Sequence, residues 1–309
     1  MTAGTLKLLE FSGVSTGPHL LITGGVHGDE FEPIAAIRKL SKILTENSGC
    51  VTLLNGRITL VPCVNEEAFL RGRRCASDGL DLARTCPGRP DGSITEQTAW
   101  ALSEVIRSAH FYIDLHTGGT EFSIYPLAGY MLHSTAHVLD AQRRMARAFG
   151  LPIIWGTAAN LNGRSLSVAR DAKIPAIYCE YRGAAACSQD GVDAYVNGCL
   201  NVMAELKMID TRPLADTHPA NAAQLVVEDP RESSGHLQVC NPSPVDGFFE
   251  PQVELGQEIR QGAVIGTVVA MHDNSTHSIL SPHSGVVLML RTFPRVKAGE
   301  SVGVVLESL

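Results

Sequence analysis

The amino-acid sequence predicts an α/β protein, in which a mostly parallel, mixed sheet is sandwiched by helices and followed by a smaller C-terminal all-β domain. Between residues 19 and 207, short apolar runs alternate with segments of helical periodicity, which is typical of strands joined by crossover helices. Beyond residue 210 this periodicity ends, and short β-rich pieces follow, separated by turn signals such as Asp246-Gly247 and Ser284-Gly285. With 309 residues, 44% of them hydrophobic, the chain is large enough for one large and one small domain.

The first half of the α/β segment contains three predicted strands and two predicted helices. An apolar strand at 19–23 precedes a helix at 33–44, and a second strand is predicted at 57–62. After a long loop, Ser93-Ile94-Thr95-Glu96 has the residue types of a capping box, which predicts the start of the next helix. The third strand is predicted at 111–115.

The second half continues the alternation of helix and strand. Helices are predicted at 134–149, 165–172 and 192–208, and strands at 151–155 and 174–179. Ser134 is the expected cap of the first of these helices, and Gly150 its expected stop. The alternation predicts a sheet that is covered by helices on both faces.

A polar, proline-containing passage at 212–222 predicts a boundary between two domains. We therefore expect a catalytic α/β domain over residues 1–215. The turn signals of residues 216–309 are spaced as in a small barrel or sandwich, and this segment is the expected C-terminal β-domain.

The composition limits which binding partners and which cellular compartment are expected. The net charge of −7, without long basic runs, argues against nucleic acid as a partner. The eight cysteines form no C-x-x-C pair and the N-terminus has no apolar signal core, which favours a cytoplasmic protein with reduced thiols. No apolar run is long enough to span a membrane. We expect a small-molecule partner and no membrane partner; a homo-oligomer is compatible with the sequence.

Gly24-Gly25-Val26-His27-Gly28-Asp29-Glu30 carries the clearest chemical signal, because it places an imidazole and a carboxylate three residues apart after an apolar strand. Both groups are good ligands for zinc, and a hydrolytic zinc site takes three protein ligands and leaves a position for water. A strand-to-helix loop with an acidic residue at the helix start has the same appearance. The metal-site interpretation therefore depends on a third ligand.

His116 is the predicted third ligand, since it follows the strand at 111–115 and the carboxyl ends of parallel strands meet at one edge of the sheet. Asp114 lies two residues earlier on the same side and is expected to orient the imidazole ring. The sequence thus predicts one zinc ion per chain, held by His27, Glu30 and His116.

Glu180 and two arginines complete the predicted constellation. Glu180 follows the strand at 174–179 in apolar surroundings, which suits a general base with a raised pKa; an ion pair with Arg182 or with an arginine of the cluster at 71–74 is the alternative. Arg74 and Arg84 lie in the long loop at 63–93, where either could stabilise an oxyanion or bind a carboxylate. An exposed surface charge is the alternative for each arginine.

These motifs resemble those of the succinylglutamate desuccinylase and aspartoacylase family, a branch of the zinc carboxypeptidase fold, along essentially the whole chain. Residues 24–30 and 114–117 resemble its two zinc motifs, and Glu180 its catalytic glutamate. The resemblance implies that Arg74 polarises the scissile carbonyl and that Asn65 and Arg84 bind substrate. Residues 81–88 resemble its D-L-N-R-x-F-P-G segment, but Ala83 replaces the asparagine that helps to hold the substrate's carboxylate.

The implied activity is hydrolysis of an acyl amide bond in a small N-acyl amino acid or related amide. Zinc would activate the water, Glu180 would accept and return the proton, and Arg74 would stabilise the oxyanion. Two alternatives remain at this point. The same metal site serves a metallocarboxypeptidase that acts on short peptides, and the change at Ala83 is also compatible with a catalytically silent protein that binds a metal or a small molecule.

Overall fold

A computed structural model describes residues 6–45, 51–210, 224–232, 234–237, 240–273 and 275–307. Its helices are α1 (Phe31–Thr45), α2 (Glu66–Arg71), α3 (Ile94–Arg107), α4 (Ala136–Phe149), α5 (Ser165–Asp171) and α6 (Gln189–Glu205). The strands of the first 210 residues are β1 (Leu9–Ser12), β2 (Ser15–Thr23), β3 (Asn55–Val61), β4 (Phe111–His116), β5 (Phe122–Met131), β6 (Ile153–Thr157) and β7 (Ala176–Gly183). Those that follow are β8 (Leu225–Glu228), β9 (Gly247–Pro251), β10 (Glu258–Ile259), β11 (Val264–Ala270), β12 (Thr276–Leu280), β13 (Gly285–Arg291), β14 (Arg295–Val296) and β15 (Gly303–Glu307).

The large sheet is mixed and has a parallel centre. Strands β3, β2, β4 and β7 are parallel neighbours in that order, and β1 and β5 pair antiparallel at the two ends of this group. Since the four central strands run in the same direction, their carboxyl ends meet at one edge, where ligands of open α/β sheets bind. The predicted fold class is confirmed.

Helices cover both faces of this sheet, as predicted. On one face α1, α4 and α6 pack around a core that contains Ile37, Phe149 and Tyr195. On the other face α3 and α5 pack over a second core that contains Leu102 and Ala169. The apolar side chains of each helix repeat on the face turned to the sheet, and their burial supplies the main stabilisation of this layered arrangement.

The strand β5 was not predicted, because its sequence contains Pro126 and Gly129, which normally argue against a strand. The pairing of β5 with β7 shifts register between Ile124 and Leu127, so Pro126 falls within an irregularity of the ladder. This strand is the one to which β6, β7 and β13 all pair.

Several element bounds also differ from the prediction. The strand predicted at 174–179 continues to Gly183, so Glu180 lies within β7 rather than after it. The cap of α4 is Thr135 rather than Ser134, whereas Gly150 ends the helix in the left-handed conformation as expected. The capping box at Ser93 is confirmed. The long loop after β3 contains the short helix α2.

The C-terminal strands form two groups. Strands β12, β11, β9 and β14 form a separate four-stranded sheet, whereas β13, with β10 and β15 attached, pairs antiparallel with β5 of the large sheet. Strand β8 joins the same sheet beside β6. The predicted division between residues 215 and 216 lies outside the described residues. Within those residues, none of the helices has the length and apolar character needed to cross a membrane.

Candidate metal centre and adjoining pocket

The segment with His27 and Glu30 connects β2 to α1, and Glu30 directly precedes the first residue of that helix. Both side chains are buried, with 3% and 1% exposure. Gly28 lets this segment pack against the backbone of α2, because a Cβ atom there would lie 2.0 Å from the carbonyl carbon of Ala68. The local sequence therefore holds the imidazole and the carboxylate on one rigid connection.

His116 is the last residue of β4, the neighbour of β2, and is brought to the same edge of the sheet. Its Nδ1 lies 3.0 Å from Glu30 Oε2, and His27 Nδ1 lies 2.6 Å from Glu30 Oε1. One ligand atom from each of the three residues lies within 4.8 Å of the other two. The hydroxyl of Tyr195 donates to the carbonyl oxygen of His116 and fixes the strand end.

A carboxylate faces the remaining ring nitrogen of each histidine. Asp114 Oδ2 lies 3.1 Å from His116 Nε2, and Asp81 Oδ1 lies 3.0 Å from His27 Nε2. Asp114 is itself held by the hydroxyls of Thr23 and Ser165. In metal sites such carboxylates fix the ring orientation and the tautomer, leaving the other nitrogen for the ion. The donor set and its surroundings therefore fit a zinc ion.

The Glu30 carboxylate and the His116 imidazole each favour the charged form of the other. Burial opposes ionisation of Glu30, but His27 and His116 outweigh it and hold the pKa of the Glu30 carboxyl well below its usual range. Burial likewise disfavours a charged His116, but Asp114 and Glu30 outweigh it and raise the pKa of this imidazole. Three carboxylates, those of Glu30, Asp81 and Asp114, lie within hydrogen-bond distance of the two rings, which suits a cation.

Glu180 is the register partner of His116 in the pairing of β4 with β7. Its Oε2 is buried and has no hydrogen-bond partner among the described residues, and no ion pair with Arg182 forms there. Burial raises the pKa of Glu180 to about 8, and it outweighs the charge of His116, which acts in the opposite direction. This carboxyl thus lies beside the three ligands with one oxygen uncommitted.

The two predicted arginines and Glu180 line one pocket together with the three ligands. Arg74 donates through Nε and Nη2 to Asp81 Oδ2 at 3.2 and 3.0 Å, and its Nη1 lies 3.9 Å from Glu30 Oε1. Arg84 is more exposed, and its Nη1 donates to the carbonyl oxygen of Ala83. Ala83, which replaces the family's asparagine, also lines this pocket.

Asn65 is not among the described residues that line the pocket. Its side-chain oxygen accepts a hydrogen bond from the Ala68 N–H and caps α2, and its backbone N–H donates to the Gly25 carbonyl. These contacts give Asn65 a role in holding the segment before His27 against α2. The predicted part in substrate binding receives no support from this position.

Arg164 is a pocket residue that sequence reasoning missed. It precedes α5, where the sequence resembles an ordinary surface helix start, and its Nη2 donates to the carbonyl oxygen of Gly235 at 3.2 Å. Burial and the neighbouring charge of Arg84 lower the pKa of its guanidinium. No carboxylate of the described residues lies within ion-pair distance of Arg164, so this charge is available for an anionic ligand.

Known proteins are similar to this chain in both sequence and fold. The family model described as the succinylglutamate desuccinylase/aspartoacylase catalytic domain matches residues 16–206. The N-alpha-acetyl-L-2,4-diaminobutyric acid deacetylase of Halomonas elongata is 32% identical, over 94% of this chain and 82% of that protein. A succinylglutamate desuccinylase/aspartoacylase structure from Rhodobacter sphaeroides is similar with a TM-score of 0.83 and 27% identity, over 98% of this chain and 88% of that one.

The fold alone is also shared with the product-bound ectoine utilization protein EutE of Ruegeria pomeroyi, at a TM-score of 0.85 and 24% identity, over 97% of this chain and 88% of that one. Fold and site together define an α/β protein that gathers two imidazoles and a carboxylate at the strand ends of its sheet. The chain belongs to the succinylglutamate desuccinylase/aspartoacylase family.

Proposed function

We propose that this protein is a zinc-dependent deacylase that hydrolyses the amide bond of a small N-acyl amino acid. The observation that carries the proposal is the uncommitted, buried Oε2 of Glu180 beside the His27, Glu30 and His116 group. The relative from Halomonas elongata is named for removing an acetyl group from an amino acid, which agrees with this chemistry.

When bound, zinc supplies a Lewis acid that activates water and polarises a carbonyl group. His27, Glu30 and His116 would hold it, each imidazole being oriented by the carboxylate behind it. The raised pKa of Glu180 shows surroundings that favour its protonated form, which suits a group that accepts a proton from water and returns it to the departing amine.

Arg74 is positioned to stabilise negative charge on the substrate's carbonyl oxygen. Asp81 holds two of its guanidinium nitrogens, and the third is directed toward the ligand group. Because this arginine is held in place before the reaction, little reorganisation is needed as the charge develops.

Arg84 and Arg164 supply the positive charge that an N-acyl amino acid requires. Both line the pocket, and the pKa of each guanidinium is lowered by burial and by a neighbouring guanidinium: Arg84 acts on Arg164, and Arg74 acts on Arg84. A substrate carboxylate placed between such groups relieves this repulsion and is bound by charge-assisted hydrogen bonds. Arg164 can therefore replace part of the carboxylate binding that is lost because Ala83 stands in place of asparagine.

The test is hydrolysis of N-acetyl and N-succinyl amino acids by the zinc-loaded protein, with chelator-treated protein and short peptides beside them. The Glu180→Gln variant should retain zinc and lose on the order of 100-fold or more in kcat. Glu104→Gln, an exposed glutamate on α3, is the matched control and should keep full activity. Zinc content should fall in His116→Ala but not in His137→Ala, an exposed histidine of α4.

Three outcomes distinguish the proposal from its alternatives. Faster cleavage of short peptides than of N-acyl amino acids would assign the site to a metallocarboxypeptidase. Zinc binding with no turnover of either class would assign it to a silent binding protein. A His116→Ala protein with unchanged zinc content and turnover would remove the metal site from the proposal.

A further inference from the structure

The pocket next to the metal centre has a wall that the proposed reaction does not use. This apolar wall is formed by Phe122, Ile124, Met131, Leu166, Leu237 and Met289. It faces the pocket that also contains Glu180 and the arginines, so a bound substrate would contact both surfaces. What lies against the apolar wall must determine which amino-acid derivatives fit.

The apolar wall is continuous with a hydrophobic core and is therefore rigid. Ile124 of β5 and Met289 of β13 are register partners, with 3% and 1% exposure, and belong to one buried cluster. A surface of this kind keeps its shape when a ligand binds, because close-packed side chains have few alternative positions.

Phe122 is held at the edge of this wall by a buried cation. The guanidinium of Arg291 lies 4.8 Å from the centre of its ring. Arg291 is itself buried, donates to the carbonyl oxygen of Ser301 at 3.0 Å, and lies within ion-pair distance of Glu121 and Glu300. These contacts hold the Phe122 ring in place at the edge of the pocket.

The aromatic ring of Tyr178 extends the apolar wall toward Glu180. Tyr178 precedes Glu180 by two residues in β7, so the two side chains lie on the same face of the strand, about 7 Å apart along it. Its ring packs over Gly129 of β5, where a Cβ atom would lie 2.2 Å from ring carbons. The absence of a side chain at Gly129 therefore leaves the space that this ring occupies.

Among the described residues, the charged groups of the pocket leave no partner for an ammonium group of the substrate. The only carboxylates of these residues that line it are Glu30 and Glu180, which the proposed function uses as metal ligand and base. The remaining charged groups are the guanidinium groups of Arg74, Arg84 and Arg164. An ammonium placed in these surroundings would lose its hydration without gaining a counter-charge, which weakens its binding.

We infer that the site selects N-acyl amino acids with an apolar group about the size of a leucine or methionine side chain, and discriminates against those with an ammonium group on the side chain. This inference rests on the proposed function and specifies its substrate class. The carboxylate would lie at Arg84 and Arg164, and the apolar group against the wall of Ile124 and Met289. Burial of one such group contributes about 1.5–3 kcal/mol, which is a preference of tenfold or more.

The test compares kcat/KM of the zinc-loaded protein for four compounds. N-acetyl-L-methionine and N-acetyl-L-leucine place the apolar group on the side chain, and N-hexanoylglycine places it on the acyl group. N-alpha-acetyl-L-2,4-diaminobutyrate carries an ammonium group on the side chain. At least one apolar compound should be turned over with a kcat/KM about tenfold or more above that of the diaminobutyrate derivative. Equal or faster turnover of the diaminobutyrate derivative overturns the inference.

A charge change in the wall provides the second measurement. Leu237→Glu adds a carboxylate at a half-buried loop position and should shift the kcat/KM ratio of the diaminobutyrate to the methionine derivative upward by about tenfold. Leu280→Glu is the control, because Leu280 is exposed on β12 and does not line the pocket. An unchanged ratio in a folded Leu237→Glu protein contradicts the inference.

Calorimetric binding to the zinc-loaded Glu180→Gln variant separates this inference from the proposed function. If none of the compounds is hydrolysed by the wild type, the proposed deacylase activity fails, and the dissociation constants decide the selectivity alone. Tighter binding of N-acetyl-L-methionine than of N-alpha-acetyl-L-2,4-diaminobutyrate supports the apolar site, and equal or weaker binding overturns it.

Discussion

The carboxylate of Asp81 connects the metal-ligand group to the arginine that faces it. One oxygen lies 3.0 Å from His27 Nε2, and the other accepts two hydrogen bonds from Arg74. Burial disfavours its charge, but the bond with His27 and the charge of Arg74 outweigh it and hold the pKa of Asp81 well below its usual range. We assign Asp81 as a positioning residue for both neighbours.

Asp81→Asn tests this assignment. The amide keeps the size of the side chain but removes the charge that orients the imidazole, so zinc affinity should fall by about 10- to 100-fold. Competition with a chelator of known affinity measures the change. Asp91→Asn, at an exposed position of the same loop, should retain the wild-type affinity. Wild-type zinc affinity in the Asp81→Asn protein would show that the contact does not orient His27.

At the scale of elements, the short helix α2 is the support for the metal-binding segment. The backbone of α2 lies against Gly28, and its cap Asn65 donates from its backbone to the Gly25 carbonyl. The seven residues between β2 and α1 are thereby held by backbone packing in addition to the side-chain contacts of His27 and Glu30. At position 28 glycine is needed because two backbones approach closely, and not because the backbone is left-handed.

Gly28→Ala should therefore be severely destabilising. Its Cβ would lie 2.0 Å from the carbonyl carbon of Ala68, so the segment or α2 must move, at a cost of about 3 kcal/mol in the free energy of unfolding. Urea denaturation measures this loss. Gly262→Ala is the control: no atom lies within 4 Å of its Cβ, and only the left-handed backbone is penalised, by about 1 kcal/mol. Equal losses in the two variants would exclude the steric explanation.

At the scale of the whole molecule, strands on both sides of residues 211–223 share the large sheet. Glu228 of β8 accepts hydrogen bonds from Arg143 of α4 at 2.7 and 2.8 Å and from the Tyr130 hydroxyl of β5 at 2.6 Å. The bonds from Arg143, against the opposing effect of burial, lower the pKa of the Glu228 carboxyl. This half-buried ion pair fastens β8 to an earlier helix and strand.

The lowered pKa of Glu228 predicts a pH-dependent contribution to stability. A carboxyl whose pKa is lower in the folded state stabilises the protein above its unfolded-state pKa, and this stabilisation is lost as the pH falls through the folded-state pKa. Glu228→Gln should lower the free energy of unfolding by about 1 kcal/mol at pH 7. The difference from the wild type should disappear in acid.

Urea denaturation between neutral and acidic pH checks this dependence, with Glu250→Gln at an exposed position of β9 as the control. A deficit of Glu228→Gln that stays constant down to the most acidic pH at which the protein folds would show that the charge of Glu228 is not responsible.

Local pattern was sufficient for most of the fold and for the candidate ligands. The alternation of apolar runs and helical periodicity predicted the parallel centre and its helical layers, because each strand and helix must bury its own apolar face. His27, Glu30 and His116 could be selected because parallel strands present their carboxyl ends at one edge, and the structure brings these three residues together. The roles of Glu180, Arg74 and Arg84 remain proposals.

Tertiary structure alone decided the strand β5, the contact of Asp81 with His27, the entry of Arg164 into the pocket and the pairing of Ile124 with Met289. Local propensity argued against β5 because of Pro126, and pairing on several sides overrode it. The other contacts join residues distant in sequence, and no local pattern records which side chains a fold brings together. By itself the sequence determined which residues are the candidates for the proposed chemistry, whereas packing of β5 against β13 decided the shape of the pocket in which that chemistry would act.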